Sequence, residues 1–138
     1  MTALPEVGVV IGARDLVLTR DSLVRYAGAS GDFNTIHYRD DVAASVGLPG
    51  VIAHGMLTMG VAVQPVVEWA AAAGGRIVEY GVRFTKPVVV DPADGASVRI
   101  EAKVAAVDET NRTVRVDLAV TAAGQSVLGK AQATVAFA

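Results

Sequence analysis

Cysteine is absent from the 138 residues. That excludes disulfide scaffolds, thiolate metal sites, iron–sulfur ligation and cysteine nucleophiles, and it fits a reducing compartment. Clusters of Lys and Arg are missing too: 12 basic residues are scattered among 14 acidic ones for a formal charge of -2. Nucleic acid therefore has no electrostatic footprint to meet. The best candidate for a membrane segment, Gly55 to Val67, has only 13 uncharged residues, where a spanning helix takes about 20. The start, MTALPEVGVVIGARD, lacks the basic and apolar regions of an export signal, and Glu6 is wrong for a transit peptide. The expectation is a soluble, cytoplasmic chain.

What is present is apolar. Hydrophobic residues make up 52% against 19% charged, enough apolar surface to offset the entropy of ordering, so disorder is excluded. The length suits a single domain over residues 1–138. A mean hydropathy of +0.44 is high for a small domain, which has much surface for its volume. Either a second subunit covers part of that surface or the many small Ala and Gly residues raise the index by themselves.

The periodicity changes along the chain. Residues 8–18 suit a first strand, Thr19 an N-cap hydroxyl followed by Asp21 in the first turn, and a helix ends between Gly28 and Gly31. A short helical piece from Arg39 or Asp40 to Val46 is stopped by Gly47 and Pro49-Gly50. From Gly55 to Ala73 apolar residues recur at three- and four-residue spacing, which predicts one long helix. Strict alternation follows in Val78–Phe84, and valine-rich strands at 97–107, 113–121 and 126–137 are joined by turns at Asp108–Asn111 and Ala123-Gly124. An apolar sheet face must be covered by another element. The fold class is therefore α+β, a curved antiparallel sheet around one long helix.

Two places offer chemistry. Asp32, Asn34 and His37 sit together in a loop, where a carboxylate and an imidazole within reach of one water supply acid and base groups near neutral pH. The same residues also suit a structural role, with Asp32 capping the short helix, Asn34 stabilising a turn and His37 at a loop edge. The second place is Ala53-His54-Gly55-Met56 at the start of the long helix. Unpaired N–H groups there face any developing negative oxygen, and Gly55 lets a carbonyl approach; close helix–sheet packing is the plainer use of that glycine. As metal ligands Asp32, His37 and His54 match no strong spacing motif and make no compact set in sequence, so no metal is expected. Gly28-Ala29-Ser30-Gly31 is not a nucleophile elbow, Gly129-Lys130 is not a phosphate loop, and no dinucleotide fingerprint occurs.

Tyr26, Ser30-Gly31-Asp32, Asn34-Thr35-Ile36-His37 and the acidic pair Asp40-Asp41, followed by AHGM at Ala53–Met56 and by YGVRFTKPV, resemble the MaoC-like, or (R)-specific hydratase 2, family of hot dog proteins. Within it the chain looks most like the catalytic subunits of (3R)-hydroxyacyl-ACP dehydratases. Thr35 stands where the family pattern has proline, which puts the rigidity of the loop in question, not its proton-transfer groups. The resemblance implies a hot dog fold and reversible (3R)-hydroxyacyl thioester dehydration or trans-2-enoyl thioester hydration. It implies Asp32 and His37 as the catalytic dyad, Asn34 as the residue that fixes its geometry, and the Gly55 N–H as oxyanion donor. It implies no cofactor, the substrate being carried on coenzyme A or acyl carrier protein, and a hot dog partner, identical or related. The alternatives are a homodimeric broad (R)-specific enoyl-CoA hydratase, a hot dog thioesterase and a non-catalytic subunit.

Overall fold

The computed structural model describes residues 2–138. The elements are β1 (Val10–Leu18), α1 (Arg20–Ser30), a 3-10 turn (Thr35–His37), α2 (Asp40–Ser45), α3 (Gly55–Ala62), α4 (Gln64–Ala72), β2 (Gly75–Phe84), β3 (Ala96–Asp108), β4 (Thr113–Ala122), β5 (Gln125–Ser126) and β6 (Leu128–Phe137). Helices come early and hairpins late, as the periodicity predicts.

The strands form one antiparallel sheet in the order β1-β3-β4-β6-β2, with β5 paired to β4. Alternation sets its faces. Val98, Ile100, Ala102 and Val104 of β3 and Val114, Val116, Leu118 and Val120 of β4 point inward and are buried, while their sequence neighbours are more open. Each fully buried aliphatic side chain there contributes roughly 1.5–3 kcal/mol. In β6 the inward parity changes from Leu128 to Ala131, Ala133 and Val135. The change falls where the pairing with β2 shifts register between Gly81 and Arg83, and Lys130, with φ 44, lies in the bulge.

The predicted long helix is divided. α3 and α4 follow each other with a single intervening residue, Val63, and Pro65 lies in the first turn of α4. Proline has no N–H to donate to the preceding turn, so the run breaks there and resumes. Pro65, Val66 and Ala70 are buried from α4, which packs on β1 and β2. Gly12 of β1 permits this approach: a Cβ at that position would meet the Pro65 Cβ at 2.9 Å. The Tyr80 hydroxyl of β2 donates to the Met59 carbonyl at 2.7 Å, and its burial pushes the phenol up to about 12.

The loops are tied down by charge-assisted bonds. Thr19 caps α1 in a reciprocal box with Ser22, and Gly31 closes the other end at φ 76. The Arg20 guanidinium pairs with Asp40 at 2.9 Å and donates to the Val90 carbonyl at 2.6 Å, and the Val51 N–H donates to Asp40 at 3.0 Å. One ion pair thus fixes α1, α2 and the segments at 51 and 90, and the Arg20 hydrogen bond holds the Asp40 carboxyl below its usual range. Asp40 serves the scaffold, and Asp41 pairs with Arg39 at 2.6 Å. No helix among the described residues is long and apolar enough to cross a membrane.

Candidate active site

The loop after α1 folds on itself. The Asp32 N–H donates to Ser30 Oγ at 3.1 Å, the Asn34 N–H to Asp32 Oδ1 at 3.1 Å, and the Ile36 N–H to Asn34 Oδ1 at 3.3 Å. Asn34 thereby caps the 3-10 turn that carries His37. The Asn34 backbone N–H holds the Asp32 carboxylate, and the Asn34 side chain holds the turn. Thr35, the departure from the family pattern, occupies the first position of the turn.

Three hydrogen bonds fasten this loop to the strand-like segment before α3. The Ile52 N–H donates to the Ile36 carbonyl at 3.3 Å, His37 Nδ1 lies 2.7 Å from the Ile52 carbonyl, and His54 Nε2 lies 3.1 Å from the Asp32 carbonyl. A carbonyl only accepts, so the proton sits on Nδ1 of His37 and on Nε2 of His54. The two rings carry opposite tautomers when neutral. His37 is left with a bare Nε2, the form of a general base, and its ring lines a groove.

The rings of His37 and His54 stack with centroids 3.8 Å apart at 23°, and Tyr26 meets His54 edge-on at 4.7 Å. One ligating atom from each of Asp32, His37 and His54 lies within 4.8 Å of the others. The three residues are compact after all, which their sequence spacing does not reveal. They nevertheless make a poor joint metal site. Imidazole lone pairs lie in the ring planes, and two nearly parallel planes do not converge on an ion at bonding distance. No hydrogen bond joins Asp32 directly to His37 among the described residues. A separation within that bound leaves room for a bridging water, since two acceptors or donors sharing one tetrahedral water stand roughly 4.6 Å apart.

The groove has a volume of about 240 Å³ and is lined by His37, Gly55, Thr58, Phe84, Lys86 and Leu128, among others. At its edge α3 begins. The Gly55 and Met56 N–H groups have no acceptor among the described residues, and they form the positive end of the helix. Phe84 leans over this point: a Cβ at Gly55 would lie 3.0 Å from its ring. Gly55 therefore keeps open both the approach to the N–H group and the place of the aromatic ring. Asp32 is exposed, whereas His37 is 7% and His54 1% exposed.

The geometry thus brings Asp32, Asn34, His37 and Gly55 into one place. Sequence reasoning placed His54 at the second candidate site and weighed it as a metal ligand but missed its contact with the other two groups, and it did not assign Thr58, Phe84 and Lys86 to the site. The signal for His54 was its place beside Gly55 at a helix start; Thr58 follows one turn later on α3, and nothing local marks Phe84 and Lys86, which reach the groove from the end of β2 and the segment after it.

Residues 5–125 match the MaoC-like domain family. The chain belongs to that family. It is 41% identical over 83 residues to the 3-hydroxyacyl-thioester dehydratase X of Mycobacterium tuberculosis, a match that covers 60% of this chain and 28% of that protein. A solved MaoC-like dehydratase superposes with a TM-score of 0.90 at 36% identity, covering 97% of this chain and 41% of the other. The chain thus spans less than half the length of these two relatives. The (R)-hydratase from A. caviae involved in PHA biosynthesis superposes with a TM-score of 0.84 at 22% identity, with 97% and 98% of the two chains covered. At that identity the likeness shows the hot dog fold, which confirms the expected architecture. The same holds for the (3R)-hydroxyacyl-ACP dehydratase HadBC complex of M. tuberculosis, at 17% identity and a TM-score of 0.72.

Proposed function

We propose that the chain catalyses reversible hydration of trans-2-enoyl thioesters and dehydration of (3R)-3-hydroxyacyl thioesters in fatty-acid metabolism. The observation that carries this reading is an imidazole with a bare Nε2 and an unpaired helix N-terminus on one apolar groove, with the Asp32 carboxylate within 4.8 Å of that imidazole. In hydration, Asp32 and His37 hold a water between them and take its proton as the oxygen bonds to C3. The double-bond electrons move onto the thioester oxygen, where the Gly55 N–H stabilises the enolate charge, and C2 then receives a proton from the same pair. In dehydration the C2 proton leaves to the pair and the C3 hydroxyl departs as water. Acid and base are not divided between Asp32 and His37, because either can take or return the proton through the water they share. No cofactor is invoked.

The substrate is carried on coenzyme A or acyl carrier protein. Lys86 lines the groove, and Arg83 and Lys130 line the neighbouring surface of β2 and β6. None of the three forms an ion pair among the described residues, which leaves their charge to the phosphates of a carrier thioester. The partner is a second hot dog subunit, in the cytoplasm. β2 is an edge strand with Val78 49% and Phe84 56% exposed, an edge that pairing with another sheet would cover. Two solved fold relatives are complexes of named subunits, ChsH1-ChsH2 and HadBC. The (R)-hydratase, matched over nearly its whole length, supports the second reading, a homodimer acting alone.

The test is loss of the conjugated double bond of trans-2-enoyl-CoA thioesters of several chain lengths with purified protein, with His37→Ala as control. Hydration that the control abolishes supports the proposal. Release of free thiol instead of hydration identifies a thioesterase and overturns it. Activity appearing only with a second hot dog subunit favours the heterodimer over the homodimer.

A further inference from the structure

We propose that His54 is a positioning residue: an imidazole donating from Nε2 that holds the Asp32 carbonyl and the plane of the His37 ring in register with each other. The inference rests on the hydration–dehydration reading and names a determinant of that site.

Its contacts are of three kinds. The Nε2–H donates to the Asp32 carbonyl at 3.1 Å, the ring face stacks on His37 at 3.8 Å, and Tyr26 closes the remaining side. Among the described residues the bond to Asp32 is the one long-range hydrogen bond reaching residues 31–34, whose other bonds come from their own loop and the end of α1. Without it the carboxylate rides on a loop that only its own turn geometry defines.

The third feature is a buried polar atom without a partner: His54 Nδ1 finds none. A leucine would fill the same space with no orphaned nitrogen. The imidazole is accounted for by its donor and its face. Protonating Nδ1 would bury a cation against His37, and burial drives the ring toward its neutral form before any charge acts on it. The groups that face it are His37, Tyr26 and Asp32; the Asp32 carboxylate, within 4.8 Å, favours the charged ring, and burial outweighs it. Burial therefore favours the neutral ring, which leaves proton transfer to Asp32 and His37.

His54 does not line the groove, so its loss acts on the geometry of reaction more than on substrate binding. Glutamine places an N–H the same number of bonds from Cβ as Nε2, asparagine places it too short, and leucine has none. His54→Gln is expected to keep kcat within about fivefold of wild type, while His54→Asn and His54→Leu lose about 100-fold in kcat with KM changed by less than about threefold. A leucine variant as active as wild type, or a glutamine variant as poor as leucine, overturns the proposal.

Nitrogen NMR of the wild-type ring supplies a test that needs no activity and no variant that folds. Nε2 is expected to carry the proton and Nδ1 to stay bare at neutral pH. A ring protonated there, or the Nδ1–H tautomer, also overturns it. Full hydration activity in His37→Ala sinks the functional reading instead, and leaves the NMR result to stand.

Discussion

In β3 and β4 every second side chain is buried, and each strand is bonded along its length to neighbours on both sides. Between Gly31 and Gly55 the chain makes no strand ladder, and three hydrogen bonds from residues 32, 36 and 37 to residues 52 and 54 hold the site. The sheet spreads its stability over many equivalent contacts. The loop concentrates its function in a few that have no substitute. Damage to one region is therefore expected to be read as lost stability, and damage to the other as lost activity.

The largest separation of the two effects is expected from Asp32→Asn. Asparagine still offers an oxygen to the Asn34 N–H, so the turn survives, and an exposed site of this kind changes stability by within about 0.5 kcal/mol. The lost proton-transfer group is expected to lower kcat by about 10²–10⁴-fold. Denaturant unfolding and turnover measured on the same preparation check both halves. A variant that loses activity and stability together would break the comparison.

Ile100→Ala is the converse. Ile100 is fully buried in the middle of the sheet, and its truncation is expected to cost about 2–5 kcal/mol. The protein that remains folded at low temperature is expected to keep its kcat, because the hydrogen bonds that hold residues 31–37 come from residues 27–54 and none from β3.

That division also decides what was legible in the sequence. Alternating valines in β3 and β4 report their own burial, and Thr19 and Gly31 mark their own helix ends, so the sheet and α1 are read from neighbours a few residues apart. Asp32, Asn34 and His37 lie within six residues, and their grouping was legible for the same reason. The contact of His54 with Asp32 spans 22 residues and depends on how the loop folds back; no local period encodes it. The break at Val63 lay between these cases. Pro65 was visible as a helix interruption, but the apolar spacing from Met56 to Ala70 continues across it and conceals the division.

pH sharpens the comparison within the site. Burial lowers the His54 pKa from the ordinary 6.5. Such a histidine binds its proton more readily in the unfolded chain, so its neutral burial contributes stability that is intact above pH 6.5 and lost as pH falls through that value toward the lower folded one. Unfolding free energy measured on either side of pH 6.5 is expected to fall on the acid side in wild type, and to fall less in His54→Gln. An equal slope in both proteins would place the acid sensitivity elsewhere.

The smallest expected effect comes from Thr35→Pro, which restores the family pattern. Thr35 opens the 3-10 turn, where a proline N is required to donate to nothing, and Asn34 before it has ψ 126, the extended conformation that a following proline demands. No bond from the Thr35 N–H occurs among the described residues, so none is lost. The substitution then acts mainly on the unfolded chain, by removing conformational freedom there, and is expected to stabilise by about 0.4–1 kcal/mol. Activity should stay near wild type, because the Asn34 cap and the His54 bond already hold the loop that a proline would stiffen. A marked rise in kcat would instead mean that the threonine loop samples unproductive geometries, and that three long-range bonds are too few to hold a catalytic turn that a sheet would hold by its ladder.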